Sequence, residues 1–356
     1  MHSLERSDIA KLDKQNMLSS IEVLHQQCSD AWEATKKTEF PDSYRNVDRI
    51  VWFGMGGSAL GIDVIKSLFS DEITLPIEIV NDYQIPATVT PNTLVILSSY
   101  SGTTEEVVEV SQTILDRTKN VFVVATGGDL ETFASTHNLP AYIFKPEFNP
   151  SNQPRMAVGY AVMGTLGAFS SLGFVNISDE QVTNMTTELE RLSHVVGADV
   201  PTEVNPIKQL AVSAQDKFIQ FISSEFLLGA THVMTNQTNE NGKHIAGRFP
   251  IPEMNHHLIE GLVYPKELLE QTLFVFITSD LYHPRNQVRH KVTAEVVEKN
   301  NIGTGEINLT GSSKFIQAFE LLLYGSYLSF YLAMVHEIDP SPIPNVDYLK
   351  EALKKA

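Results

Sequence analysis

Two short stretches of the sequence set glycines and hydroxyl side chains directly after apolar runs. In Arg49-Ile-Val-Trp-Phe-Gly-Met-Gly-Gly-Ser-Ala-Leu-Gly61 a strand-like run meets a glycine turn and then a helix start. Glycine lets backbone N–H groups approach a ligand, and a helix N-terminus offers unpaired donors with a partial positive charge. That combination suits a phosphate ester. The spacing of Gly54, Gly56, Gly57 and Ser58 is neither the dinucleotide fingerprint nor the Walker loop, which needs a lysine after its last glycine. A plain strand-to-helix turn would look the same, so this loop alone leaves both readings open. Thr93-Leu-Val-Ile-Leu-Ser-Ser-Tyr-Ser-Gly-Thr-Thr-Glu-Glu106 repeats the design, with five Ser or Thr among the seven residues 98–104. Hydroxyls donate to phosphate oxygens without bringing a cation, and Gly102 frees the backbone at the turn. Serine and threonine also suit helix N-caps, but a cap needs only one of them. Glu105 and Glu106 favour the helix dipole yet repel a dianion, so the phosphate is expected beside Ser99, Ser101 and Thr104, with Gly57 and Ser58 facing them.

Such loops need strands to carry them and helices to follow. From residue 49 the chain alternates short β-branched runs with longer periodic ones, the pattern of a parallel sheet covered by helices. Strands are expected at Arg49–Phe53, Ile77–Val80, Thr93–Leu97 and Val121–Ala125, and again at Phe218–Ile222, Thr272–Thr278 and Gly305–Leu309. Helices are expected over Ser7–Thr38, Ser58–Phe69, Thr103–Arg117, Met156–Leu172 and Asp179–Val196, with Asp42–Asp48 a loop. The aromatic-rich helix Phe315–Tyr331 reads as core or dimer surface. Gly197–Pro206, with its two prolines, is the expected boundary between an N-terminal domain of residues 1–200 and a C-terminal domain of residues 201–356.

Composition narrows the function. The 356 residues carry 26 basic and 43 acidic side chains, a formal net charge of -17. That field repels nucleic acid, and no basic run offsets it, whereas a small anion needs only a few local donors. The single cysteine, Cys28, cannot form an internal disulfide and falls on the apolar face of an expected helix. The opening residues lack the apolar core of a signal peptide, and no uninterrupted apolar run is long enough to span a membrane. A cytoplasmic protein is expected, with no partner membrane. No cluster of metal-ligand type accompanies the loops, so neither metal nor cofactor is expected.

Both loops resemble the sugar isomerase (SIS) domain, and the wider set is similar to the bifunctional phosphoglucose/phosphomannose isomerases. The matching motifs are Gly54–Gly61, Ser99–Glu106, Gln153-Pro-Arg-Met-Ala-Val-Gly-Tyr160, Asn239-Glu-Asn-Gly-Lys243, Pro252-Glu-Met-Asn-His256 and Asp347-Tyr-Leu-Lys350. Thr103 stands where the family usually has Asn, and Gly242 where it usually has Ser. The resemblance implies an α/β fold of two SIS-type domains, each a mainly parallel sheet flanked by helices. It also implies interconversion of fructose 6-phosphate with glucose 6-phosphate and mannose 6-phosphate through an enediol(ate).

That chemistry needs a base, a cation near the developing oxyanion, and groups that open the ring. The resemblance assigns Glu240 as the base moving a proton between C1 and C2, with burial among apolar groups expected to raise its pKa. It assigns His256 to ring opening, supplied by the partner subunit of a homodimer, and Lys350 to proton transfer in the same step. Arg155 is assigned to hold an enediolate oxygen, since a guanidinium stays out of the proton traffic. His257 is expected at the surface. Contributions from Lys243 and Arg285 stay open, and His283-Pro-Arg285 with Arg289 and His290 fits a solvated helix start as well as a cleft lining. Two other functions remain: a non-catalytic sugar-phosphate sensor, which would not need Glu240, His256 and Lys350 together, and an SIS isomerase for another sugar phosphate.

Overall fold

A computed structural model describes residues 4–355. The chain starts with three short helices, α1 (Arg6–Leu12), α2 (Met17–Glu22) and α3 (Leu24–Thr35), where the sequence suggested one continuous helix. The breaks have local causes. Asp13 turns its carboxylate back onto the Met17 and Leu18 amides at 2.8 and 2.9 Å, and Asn16 adopts a left-handed conformation, φ 55°. Cys28 is buried on α3, as its periodicity indicated.

Residues 49–143 build a five-stranded parallel sheet in the order β2-β1-β3-β4-β5, from β1 (Arg49–Phe53), β2 (Ile77–Val80), β3 (Thr93–Ser99), β4 (Val121–Ala125) and β5 (Ala141–Ile143). Their side chains alternate between two cores, as the pleat requires. Val51, Phe53, Val95, Leu97 and Val123 pack under α5 (Glu105–Ile114) and α6 (Gly128–Thr136). Ile50, Trp52, Leu94, Ile96 and Phe122 face α4 (Gly57–Leu68) and α7 (Val158–Leu172). Coverage on both faces explains why these strands are apolar throughout. α8 (Asp179–Val196) then starts from a capping box, Ser178 with Gln181.

After α9 (Pro206–Ser213) a second parallel sheet runs in the order β7-β6-β8-β9, from β6 (Phe218–Ser223), β7 (Ala246–Pro250), β8 (Thr272–Ser279) and β9 (Gly303–Leu309). Ile219, Phe221, Val275 and Ile277 point to the side of α10 (Leu228–Glu240) and α13 (Lys314–Val335), whereas Ile222, Phe274 and Phe276 point to the side of α12 (Pro284–Lys299). The short α11 (Lys266–Glu270) precedes β8, and α14 (Pro344–Leu353) ends the chain with none of its residues buried. Strands β5 and β7 were not foreseen. Both are edge strands; β5 has only three residues, and β7 contains Gly247 and ends on Pro250, which depress strand propensity.

The first core cluster is continuous from Ile50 and Trp52 of one sheet to Ile219 and Phe221 of the other, with α4, α7, α8, α10 and α13 sandwiched between. α13 is long and apolar enough to cross a membrane, but its apolar window is wholly buried inside the protein. The segment expected as an interdomain boundary is a bonded junction. Buried Lys208 donates to the carbonyls of Leu4, Ala198 and Val200 at 2.7, 2.8 and 2.8 Å. Asn205 donates to those of Val196 and Gly197 while capping α9, and the Tyr331 hydroxyl of α13 reaches Val196 at 2.7 Å. Replacing Lys208 by Met would keep the length and strand three buried carbonyls. The expected result is a loss of about 1–3 kcal/mol, read as a lower urea midpoint at unchanged slope.

Candidate active site

The phosphate loops lie side by side because β1 and β3 are neighbours. Ser58 Oγ accepts a hydrogen bond from the Tyr100 amide at 2.9 Å, which ties the first loop to the second and leaves its own proton free to donate outward. Ser99, fully buried at the end of β3, accepts from the Gly102 amide at 3.0 Å and shares a 2.7 Å bond with Thr104 Oγ1. Ser101 and Thr103 share a proton at 2.9 Å on the exposed side. Gly102 has φ +70°, and a Cβ there would stand 1.7 Å from the Gly127 carbonyl oxygen, so only glycine fits. Thr104 does not cap α5 with its side chain, and α4 starts from Gly56 without a side-chain cap. In α4 the Ser58 and Ala59 amides already donate to the Met55 and Gly56 carbonyls, and in α5 the Val107 amide donates to the Thr104 carbonyl, so the amides left toward an anion are those of Gly57, Glu105 and Glu106. Behind the loops lies a cavity of about 20 Å³, lined by Gly57, Ser58, Ser98, Tyr100 and Pro154, which is too small for a sugar. A larger cavity of about 770 Å³ lies between α12 and β9 and touches none of the expected site residues.

Arg155 stands directly next to the first loop: a Cβ on Gly57 would lie 3.6 Å from its Cα. The side chain is only 5% exposed. Its Nε donates to Asn241 Oδ1 and lies 3.4 Å from Glu240 Oε2. One terminal nitrogen donates to Gln153 Oε1 at 2.8 Å, the other to the carbonyls of Pro340 and Ser341 at 3.1 and 2.8 Å. Four of the five guanidinium N–H groups thus have protein acceptors, and one on the Gln153 side remains. Burial lowers the pKa of Arg155, against the pull of Glu240. Gln237 Nε2 grips the Arg155 carbonyl at 3.0 Å, and Asn241 Nδ2 reaches Ser329 at 3.1 Å.

Glu240 is the last residue of α10. Its side chain is 40% exposed, so the apolar burial expected for a base is absent in the single chain, and its charged neighbour is Arg155. Gly242 is enclosed: a Cβ would stand 2.7 Å from the Thr238 carbonyl oxygen, which is why serine does not fit here. Lys243 Nζ donates to the Glu240 carbonyl and, at 3.0 Å, to Pro340 O.

His256 and Lys350 are not brought to this group. His256 is exposed on a short 3-10 turn, Glu253–His256, whose Met254 belongs to the core on the α12 face of the second sheet. α10, with Glu240, packs on the opposite face. His257, just after that turn, is exposed, as expected, and pairs with Glu253 at 2.9 Å. Lys350 is exposed on α14, downstream of the Pro340–Ser341 segment. His283 caps α12 and Arg285 faces solvent, while His290 is buried with Nε2 3.0 Å from Ser224 Oγ. His283 and Arg285 thus stand at a helix start, whereas His290 lies within α12 and lines the cavity between α12 and β9. Sequence reasoning missed Gln153, Asn241 and Ser341 as partners of Arg155; the first two sit inside the Gln153-Pro-Arg and Asn239–Lys243 motifs, but the Ser341 carbonyl leaves no mark in sequence. Among the described residues, no group of three or more His, Cys, Asp or Glu is placed to hold a metal ion.

A protein of Caldicellulosiruptor bescii named bifunctional phosphoglucose/phosphomannose isomerase is 31% identical over 344 residues, covering 95% of this chain and 98% of that one. The chain belongs to the bifunctional phosphoglucose/phosphomannose isomerase family. It is a sugar-phosphate isomerase. A family member of Thermoplasma acidophilum is 26% identical over 93% of this chain and all of its own length. Residues 203–353 match the family described as bacterial phospho-glucose isomerase C-terminal SIS domain. The fold is that of SIS-type phosphosugar isomerases. A hypothetical protein of Thermus thermophilus superposes with TM-score 0.73 at 16% identity over 99% of this chain and 93% of its own. Tagatose-6-phosphate ketose/aldose isomerase of Escherichia coli gives 0.65 at 16% identity over 94% and 93%. In this isomerase the phosphate loops make a direct prediction. Inorganic phosphate is expected to raise the melting temperature of the parent protein, and Gly102→Ala, which must drive Gly127 away, is expected to melt lower and to lose that shift.

Proposed function

We propose that this isomerase interconverts fructose 6-phosphate with glucose 6-phosphate and mannose 6-phosphate, by moving a proton between C1 and C2 through an enediol(ate). The observation that carries the reading is the contact chain from phosphate loop to carboxylate: Gly57 abuts Arg155, and Arg155 pairs with Glu240. An ester dianion held by Gly57, Ser58, Ser99, Ser101 and Thr104 then projects its carbon chain along Arg155 toward Glu240. Glu240 takes the proton from one carbon and returns it to the next. The remaining N–H of Arg155 meets the enediolate oxygen, and a cation there stabilises charge that develops only in the transition state. Every role falls to a side chain, with no cofactor or metal.

His256 belongs to the same site only if a second copy delivers it, since its own sheet separates it from Glu240. We therefore read the enzyme as a homodimer with shared sites, in which His256 of one protomer and Lys350 open the ring. Closure by a partner would also shield the half-exposed Glu240 from water. The two halves, 1–200 and 201–356, would divide the labour, the first gripping phosphate and the second supplying the base. A cytoplasmic setting agrees with the single buried thiol. A mere sensor would have no use for a carboxylate beside a buried guanidinium.

Glu240→Gln keeps the shape and removes the base, so turnover should fall by about 10²–10⁴-fold with the fold intact by circular dichroism. Near-normal turnover would refute the assignment. Mixing inactive Glu240→Gln and His256→Ala subunits tests the sharing. If half the dimers are mixed, each has one intact site, and about a quarter of full activity should return. No recovery means that the two residues work within one chain. Exhaustive chelation should leave the rate unchanged, and a loss restored by zinc would overturn the metal-free mechanism.

A further inference from the structure

Lys243 is the residue beside the site that the isomerase reading does not use. It follows α10 by three residues and adopts a left-handed backbone, φ +50°. For a residue other than glycine or asparagine that conformation is disfavoured, by about 1 kcal/mol or more. Glycine would hold the turn without strain. A lysine persists there while its side chain spans two backbone groups that nothing in the chain order brings together: the Glu240 carbonyl, and the Pro340 carbonyl 97 residues later in the sequence. Arg155 donates to the same Pro340 oxygen at 3.1 Å. One carbonyl therefore receives two cations. That arrangement is unfavourable alone and is offset by the carboxylates of Glu240 and Asp339.

We propose that Lys243 is a positioning residue for the isomerisation, whose ammonium fixes the end of α10, and so the Glu240 carboxylate, against the Pro340–Ser341 segment that leads to Lys350. The proposal rests on the reading of Glu240 as the base. The groups that face Lys243 are Glu240 from α10, Arg155 from the 3-10 turn Pro154–Met156, and Asp339 from the segment after α13. His244 follows it directly, stacked on His336 with a 2.9 Å bond between the rings. Burial first, and Arg155 second, hold the pKa of Lys243 down at about 8. Below that pH the bridge is an ammonium, and as pH rises through it the bridge becomes a neutral, weaker donor. The sign for folding is opposite. The unfolded lysine keeps its proton to higher pH than the folded one, so Lys243 contributes no loss of stability as pH rises from about 8 to 10. An alkaline fall in turnover without an alkaline fall in melting temperature is therefore the signature of positioning.

The experiment measures kcat and KM for fructose 6-phosphate from about pH 6 to 10, with melting temperature over the same range, in wild type, Lys243→Met and Lys243→Arg. Lys243→Met should lower kcat by about 10- to 100-fold, change KM less than about threefold, and lose the alkaline limb. Lys243→Arg, which does not deprotonate, should keep most of the turnover and move the limb out of range. Wild-type kcat with an unchanged limb in Lys243→Met overturns the proposal. So does a collapse of melting temperature with kcat and KM both spoiled in both variants, which marks an ordinary structural contact. Glu240→Gln run alongside separates the two levels: if it is inactive while Lys243→Met is normal, only the positioning role falls, and if both are normal the base assignment falls as well.

Discussion

A buried guanidinium ties separate stretches of this chain together. Arg155 is out of water, and an unpaired charge there would be costly, so its donors must be met. They are met by groups from separate stretches of chain: Gln153 beside it, Asn241 and Glu240 at the end of α10, and the carbonyls of Pro340 and Ser341 before α14. Satisfying one side chain therefore brings together three segments far apart in sequence, two of which carry Arg155 and Glu240. A side chain with fewer donors, such as lysine, could not join them all.

The same cation links the phosphate loops to the reacting end. The loops are organised by their own hydroxyls, with Ser99 bracing Gly102 and Thr104, and Ser58 holding Tyr100. Their free amides are set before any ligand arrives, which limits the ordering that binding must pay for. Arg155 stands directly against Gly57, so the first loop and the Arg155–Glu240 pair are neighbours in space. The second sheet has no equivalent grip: after β6, Ser224 gives its hydroxyl to the Ile251 carbonyl at 2.8 Å and meets His290, so that hydroxyl is already engaged. Two sheets of like topology thus differ in whether their loops keep polar groups free.

The junction near residue 200, expected as a domain boundary, is held by side-chain bonds: Lys208 and Asn205 satisfy its carbonyls, and α8 lies against α13. Backbone groups that cannot reach water must be paired, and here side chains from the following helix pair them. One continuous apolar core runs beneath both sheets across this junction.

Much of this was legible in sequence. The central strands β1, β3, β4, β6 and β8 announce themselves because burial on both faces demands unbroken β-branched and aromatic runs. Ser99, Ser101, Gly102 and Thr104 stand out because hydroxyls and a glycine crowd one turn, and local chemistry is written in local sequence. Edge strands β5 and β7 were hidden, since half-solvated strands tolerate Gly and Pro and lean on a neighbour for their hydrogen bonds. What only the tertiary structure decided is which distant residues share a charge. Arg155 and Glu240 are 85 positions apart, and the Ser341 carbonyl has no side-chain signature at all. Likewise, that Glu240 and His256 lie on opposite faces of one sheet follows from the pleat and the packing of α10, not from the short stretch of chain between them. Residue type tells what a group can do; only packing brings its partner to it.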